Sequence, residues 1–502
     1  MNPHSDATPV GAGPHDDERQ GAAGPVRRRA PAPWALAGLS LSMLLSSLGT
    51  SIANVGLPTL ARAFEASFQQ VQWIVLAYLL AITTLVVGAG RLGDLFGRRR
   101  LLLGGVGLFT VASALCAAAP ALWWLIAARA VQGLGAAVMM ALTMAFVGET
   151  VPKERTGRAM GLLGTMSAVG TALGPSLGGA LIAGLGWRSM FLVNVPLGVL
   201  TLVLAHRFLP ADRRREPGAA AGRRGFDRVG TLLLAATLGA YALAMTIERG
   251  RFGAPGLALL LAAAVGAGLF VRVEARAAAP LVRLTTLRDP VLGAGLAMSA
   301  LVSTVMMATL VVGPFYLART LGLDEAPVGL VLSVGPLVAA LTGVPAGRGA
   351  DRFGTRRTTL VGLAAMAAGC ALLVLLPTAL GVWGYVLPLA VVTSGYALFQ
   401  TANNTAVMAD VRPDRRGVVS GLLNLSRNLG LVTGASVMGA VFAFASAAGD
   451  VATASPGATA TGMRTTFAVA AVAICLALAL AWRLAPSRVS PPRARPDPKD
   501  RP

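Results

Sequence analysis

Charge is scarce in this chain. Asp, Glu, Lys and Arg together make up 13% of its 502 residues, roughly half the share of a soluble domain, which excludes a water-soluble globule along most of its length. Cysteine is rarer still. Cys116, Cys370 and Cys475 each stand alone inside an apolar run, so neither a disulfide framework nor a paired-cysteine metal site is available. The histidines, His4, His15 and His206, are equally scattered, which excludes a histidine metal centre. No glycine-rich loop closing on Gly-Lys-Ser or Gly-Lys-Thr occurs, and no Ser/His/Asp set, so nucleotide-driven and hydrolytic chemistry have no residues to act through. The chain is therefore not read as an enzyme, and no cofactor or metal is expected.

What is present is apolar. Hydrophobic residues make up 55% of the chain, and its mean hydropathy is +0.67. About twenty apolar residues cross a bilayer as a helix. On that measure fourteen spans fall near 34–56, 71–90, 101–119, 122–145, 160–183, 190–208, 229–247, 256–272, 291–317, 327–346, 358–377, 382–408, 418–445 and 465–484. The expected fold is an all-α integral membrane protein, and lipid is its first partner.

The net charge of +21 fits either nucleic-acid binding or basic loops held on one side of a membrane. Threading the spans decides between them. With the N-terminus inside, Arg98 to Arg100, Lys153, Arg213 to Arg215, Arg276, Arg356, Arg357, Arg412, Arg415 and Arg416 all fall on the inner face, while the outer face holds Arg62, Arg188, Arg249, Arg251, Arg319 and Arg464. The even count returns the C-terminus to the same side. Both termini are expected in the cytoplasm, the protein in the cell membrane, and no nucleic acid as a partner.

One loop motif occurs twice. Gly90-Arg91-Leu92-Gly93-Asp94-Leu95-Phe96-Gly97-Arg98-Arg99-Arg100 follows the second span, and Gly347-Arg348-Gly349-Ala350-Asp351-Arg352-Phe353-Gly354-Thr355-Arg356-Arg357 follows the tenth. Such a recurrence implies two six-helix halves, the repeat by which transporters alternate access. The chain then divides into a disordered tail (1–33), a six-helix bundle (34–208), a loop (209–228), two inserted helices (229–272), a second loop (273–290), a second six-helix bundle (291–485) and a basic disordered tail (486–502).

These residues resemble the loop signature of the major facilitator superfamily. Three further segments narrow the resemblance: Arg129 to Gly135, with Gln132 and Gly133, resembles a motif of the family; Gly170 to Gly179, with Gly174, Pro175 and Gly178, resembles the motif characteristic of its antiporters; and Trp187 to Gly198, with Asn194 and Pro196, resembles a segment typical of its fourteen-helix drug:proton antiporter subfamily. Leu95 and Thr355 depart from the loop signature, and one further departure bears on the chemistry. The subfamily's first span often carries an aspartate where this chain reads Leu48-Gly49-Thr50. The resemblance implies two six-helix bundles plus two inserted helices, with the first, fourth, ninth and twelfth spans around a central cavity.

Candidate residues follow from motif and periodicity. Arg91, Asp94, Arg98, Glu149 and Asp351 form a candidate latch at the inner loops, with Asp94 serving the latch rather than carrying a proton as the favoured reading, and Glu149 pairing with Arg98, titrating from the cavity or, equally, standing as a solvated helix-end acid. The resemblance implies that Arg129 helps couple proton movement to substrate movement; the lesser alternative is an arginine reaching the membrane interface. Helical stripes of polar and aromatic groups must face protein or water rather than lipid. They nominate Thr50, Asn54, Gln132, Met139, Tyr396, Phe399, Gln400, Asn403, Asn404, Asn424 and Arg427 for a substrate cavity, or else for hydrogen bonds between helices. Arg427 either binds an anionic group or stabilises the bundle. Gly170, Gly174, Pro175, Gly178 and Gly179 fit a gating helix or tight packing. The function expected from the resemblance is export of amphipathic or lipophilic small molecules by a monomer, driven by the proton gradient; the alternative is a dedicated exporter of one endogenous metabolite or antibiotic.

Overall fold

The computed structural model describes residues 32–150, 156–210, 212, 227–247, 253–277, 289–409, 411, 416–446 and 454–483. Fourteen helical stretches in it are long and apolar enough to cross a membrane. They are α1 (Ala32–Val55), α2 (Phe68–Phe96), α3 (Arg98–Ala117), α4 (Leu122–Thr150), α5 (Thr156–Leu185), α6 (Asn194–Phe208), α7 (Arg228–Thr246), α8 (Ala254–Arg276), α9 (Pro290–Arg319), α10 (Glu325–Phe353), α11 (Thr355–Leu375), α12 (Trp383–Ala409), α13 (Arg416–Thr433) and α14 (Pro456–Arg483). The sixth span enters through a separate turn, Ser189–Leu192, and α13 continues through a π-helical turn, Gly434–Met438, into Gly439–Ala445.

Chain chemistry sets the helix ends. Ser67 caps α2 and Gln70 returns the bond to the Ser67 N–H, which satisfies two otherwise orphaned groups. The carboxylate of Asp289 accepts from Val291 and Leu292 at the start of α9. Gly97 and Gly354 close the two copies of the loop motif at φ +94° and +83°, a backbone region that favours glycine. That is the physical content of the motif's second glycine.

Packing repeats along with sequence. α1 packs on α5 and α6, α2 on α4, and α3 on α4 and α6; α9 packs on α13 and α14, α10 on α12, and α11 on α12 and α14. The glycines that allow close approach recur with the helices. A Cβ on Gly135 would lie 2.7 Å from Gly105 O, and one on Gly362 would lie 2.8 Å from Gly395 O. Gly170 sits on the Leu44 carbonyl in one half and Gly430 on the Ala300 carbonyl in the other. Without a hydrophobic drive between helices in lipid, this closeness is what holds them. α7 and α8 pack on each other, and α7 lies against α2, with Trp73 Nε1 donating to Thr246 Oγ1 at 3.0 Å.

The first half meets the second through α5 against α10 and α2 against α13. The described contacts between the halves gather at the end away from the arginine loops. There Phe68 packs on Phe315 and Phe442, with ring centroids 4.8 and 5.5 Å away, and Gln72 Nε2 donates to Ala435 O at 2.9 Å.

Replacing Gly170 with alanine drives a methyl group into the Leu44 carbonyl, whereas a Cβ on Gly164 meets nothing within 4 Å. Gly170→Ala is expected to cost about 1–3 kcal/mol and Gly164→Ala nothing, read as the melting temperatures of the purified variants in detergent.

Candidate functional site

The most confined polar cluster is built around Arg129 of α4, the largest side chain in the molecule with no exposed surface. Its guanidinium donates to three separate acceptors: Nε to Ile74 O at 2.9 Å, Nη1 to Gln132 Oε1 at 2.6 Å and Nη2 to Gly49 O at 3.0 Å. Gln132 passes the network on, its Nε2 donating to Ser113 Oγ at 2.7 Å. The Tyr78 ring lies 4.1 Å from the guanidinium carbon, and the Tyr78 hydroxyl donates to Ser46 O at 2.8 Å. One arginine thus ties α1, α2, α3 and α4 together. The planar fork of donors makes this possible, and ring contact and hydrogen bonds together replace lost hydration. Arg129 is not an interfacial arginine; it is enclosed.

Gly49 has a geometric reason to be glycine. A Cβ there would lie 2.7 Å from the Tyr78 hydroxyl and 3.3 Å from Phe109. The α1 backbone comes close enough for its own carbonyl to serve as the arginine's acceptor. Tyr78 and Ser113 escaped the sequence reading because neither belongs to a motif or a polar stripe; their proximity to Arg129 is tertiary.

The other candidates divide by exposure. Thr50, Tyr396, Gln400, Asn404, Asn424 and Arg427 keep partly exposed surface, whereas Asn54, Gln132, Met139, Phe399 and Asn403 are closed over. Asn54 Nδ2 donates to Thr50 O on its own helix at 2.9 Å, and Asn403 Nδ2 joins α12 to α9 through Gly295 O at 3.1 Å. Met139 and Phe399 belong to apolar clusters. In the conformation described here these five are enclosed by neighbouring side chains and helices; helical period marks an inward face without separating a helix contact from a lumen.

At the arginine loops, Arg98 opens α3 and is partly exposed, and Asp351 is exposed near the end of α10. The side chains of Arg91, Asp94 and Glu149 lie outside the described residues, so the Glu149–Arg98 pairing does too. A different acid caps α3: Asp212 accepts from the Arg99 N–H at 2.8 Å and the Arg100 N–H at 3.2 Å. Carboxylates favour that position at a helix N-terminus. Arg99 itself donates to His206 O at the end of α6, and Arg356 to Trp482 O at the end of α14, at 3.2 Å. These two loop arginines clamp onto helix-end carbonyls rather than onto acids.

The opposite end holds a junction between the halves. On α5, Gly170, Gly174 and Gly178 face α1, while Gly179 faces α10: its Cβ would lie 2.6 Å from Glu325 O and 3.0 Å from Gly329 Cα. The Pro175 carbonyl borders Gly329 as well. Beside this contact Arg62 Nη2 pairs with Glu325 Oε1 at 2.5 Å, and Thr59 Oγ1 donates to the same oxygen at 3.1 Å. Arg62 is 62% and Glu325 27% exposed, so the pair contributes only about 0–1 kcal/mol, a strength suited to repeated breaking. A cavity of about 200 Å³ between these groups is lined also by Phe315, Arg319 and Val328.

The sequence profile of the Major Facilitator Superfamily matches residues 39–435. An uncharacterized transporter, YebQ, of Escherichia coli is 33% identical over 402 residues, which is 79% of this chain and 86% of that protein. The multidrug resistance protein Stp of Mycobacterium tuberculosis is 33% identical over 417 residues, 81% of this chain and 74% of its own. Among solved structures, a bacterial homologue of the human lysosomal transporter Spinster superposes with a TM-score of 0.64 at 16% identity, covering 90% of this chain and 96% of the other.

Arg129→Lys keeps the charge but loses the three-way fork. It is expected to cost about 2–4 kcal/mol of stability, and Tyr78→Phe, which removes one hydrogen bond and leaves the ring in place, about 1 kcal/mol. Denaturation of the purified variants in detergent checks the order; equal losses would contradict it.

Proposed function

This chain belongs to the major facilitator superfamily, and on that premise we propose that it exports amphipathic or lipophilic small molecules in exchange for protons. Its likeness to a multidrug resistance protein over four-fifths of its length carries the reading. The excess of arginine in the loops at one end supports reading that end, and both termini, as cytoplasmic and the Arg62–Glu325 junction as outside. The two halves rock about a central site: in the conformation described here the outer end is closed by the Gly179–Gly329 approach, the Phe68–Phe315–Phe442 cluster and the ion pair. Opening needs those contacts to separate, and only the ion pair among them involves charge.

Protons enter the scheme through the Arg129 network. Gly49 leaves α1 without a carboxylate at the arginine, so the guanidinium's hydrogen bonds go to backbone carbonyls and a side-chain amide. A network of neutral acceptors responds to the approach of a proton or a charged substrate by reorganising hydrogen bonds rather than by giving up an ion pair. Four helices of the first half move with it.

In everted vesicles from a pump-deficient host, with the proton gradient imposed, addition of a transported dye is expected to release protons from the vesicle lumen. Arg129→Ala is expected to reduce that release at least tenfold, the scale of losing a buried network worth more than about 1.4 kcal/mol. Dye uptake unaffected by collapse of the gradient contradicts proton exchange.

A further inference from the structure

The membrane interior of this protein holds cations without acids. Every Asp or Glu within the fourteen helices lies within two residues of a helix end: Asp94, Glu149, Glu274, Glu325 and Asp351. Arginines go deeper, and their partners differ. Arg129 is fully engaged, and Arg464 of α14 donates to Leu376 O at 3.4 Å. Arg427 of α13 has no hydrogen bond, ion pair or ring contact among the described residues. It sits six residues inside the apolar stretch that begins at Gly421, about 9 Å of helix rise. An unpaired guanidinium at that depth is costly wherever lipid surrounds it, and is retained where it lines a wet space.

The surroundings of α13 identify which space Arg427 meets. None of the residues from Gly421 to Ala443 is exposed on the outside of the bundle; each is buried or half-buried, so neighbouring helices enclose this stretch. Successive helical residues turn by about 100°. On one side of Arg427, Ser426 donates to Leu296 O and Gly430 abuts Ala300 O, both of α9. On the other side, the Ala435 carbonyl accepts from Gln72 of α2. On the far side, Leu422 and Leu425 join the apolar cluster with Leu234 and Leu238 of α7. The remaining direction, between α9 and α2, points to the space between the halves, and Arg427 occupies it with Asn424 and Asn428. Asn428 is 6% exposed and its Nδ2 has no acceptor. Arg427 and Asn428 therefore offer a positive charge and a hydrogen-bond donor that no group among the described residues receives.

We propose that Arg427, supported by Asn428, is the anion-binding subsite of the transport pathway, and that the exported compound is an amphipathic organic acid. The guanidinium fork matches a carboxylate, sulfonate or phenolate, and the apolar residues around it receive the rest of the molecule. Export of an acid removes the need for a carboxylate opposite a cationic substrate, which fits an interior that has none. This inference rests on the exporter reading above and narrows its substrate class.

The test uses the full chain in lipid nanodiscs and two dyes that share a xanthene ring and differ in charge: anionic fluorescein and cationic rhodamine 123. Fluorescence anisotropy is expected to show wild type binding fluorescein about tenfold more tightly than rhodamine 123, and Arg427→Gln losing about tenfold of the fluorescein affinity while rhodamine 123 is unaffected. Arg427→Lys is expected to keep the preference with a several-fold weaker fluorescein affinity; it gives the same decision should Arg427→Gln fail to fold, since unaltered affinity for both dyes overturns the assignment. Unaltered fluorescein affinity in Arg427→Gln also overturns it. Rhodamine 123 binding without fluorescein binding overturns the acidic substrate and leaves the exporter reading standing; binding of neither dye overturns both.

Discussion

Hydrocarbon offers no hydrogen bonds, so every polar group carried into it must be satisfied by the chain itself or by water in an enclosed space. That constraint explains why the structure is fourteen helices, and it decides what each buried polar residue does. Ser42, Ser46, Thr83, Thr110 and Ser113 return their hydroxyls to carbonyls one turn back on their own helices. The Asn403 amide and the Ser426 hydroxyl donate instead to carbonyls of α9. Arg129 is the extreme case: a permanent cation made tolerable by three acceptors and an aromatic face.

The same constraint makes glycine the main packing residue. Where Gly105 meets Gly135, or Gly362 meets Gly395, backbones touch and dispersion between them replaces the hydrophobic drive that lipid removes. These contacts recur in both halves, so the scaffold is repeated, while the charges on it are not. Gly170 corresponds to Gly430 in packing, which sets Ser167 opposite Arg427. Ser167 shares a hydrogen bond with Ser47 at 2.7 Å; Arg427 has no such partner. In the proposed cycle the repeated scaffold is what rocks, and the unrepeated residues supply the chemistry.

Much of this was legible in the sequence. The fourteen spans follow from apolar length, and the duplicated loop reads directly as Gly97 and Gly354 in matching left-handed turns. The paired glycines were legible too: Gly105 and Gly362 stand at the same separation as the two loop motifs, and extending the repeat by one helix would have found them. Other features were not. Asp212 caps α3 from 113 residues away, and nothing local to either segment announces it. The closure of Asn54, Met139 and Phe399 was hidden because a helical stripe gives direction, not distance to the next helix. The enclosure of Arg129 depended on Tyr78, whose place on α2 carries no periodic signal.

In the proposed cycle the Arg62–Glu325 junction closes and opens with each round of transport. The direct measurement is transport by the Arg62→Cys/Glu325→Cys variant with the native cysteines replaced, before and after oxidation and again after reduction. A disulfide across this junction is expected to stop transport, and its reduction to restore it. Full transport by the oxidised, cross-linked protein would contradict it.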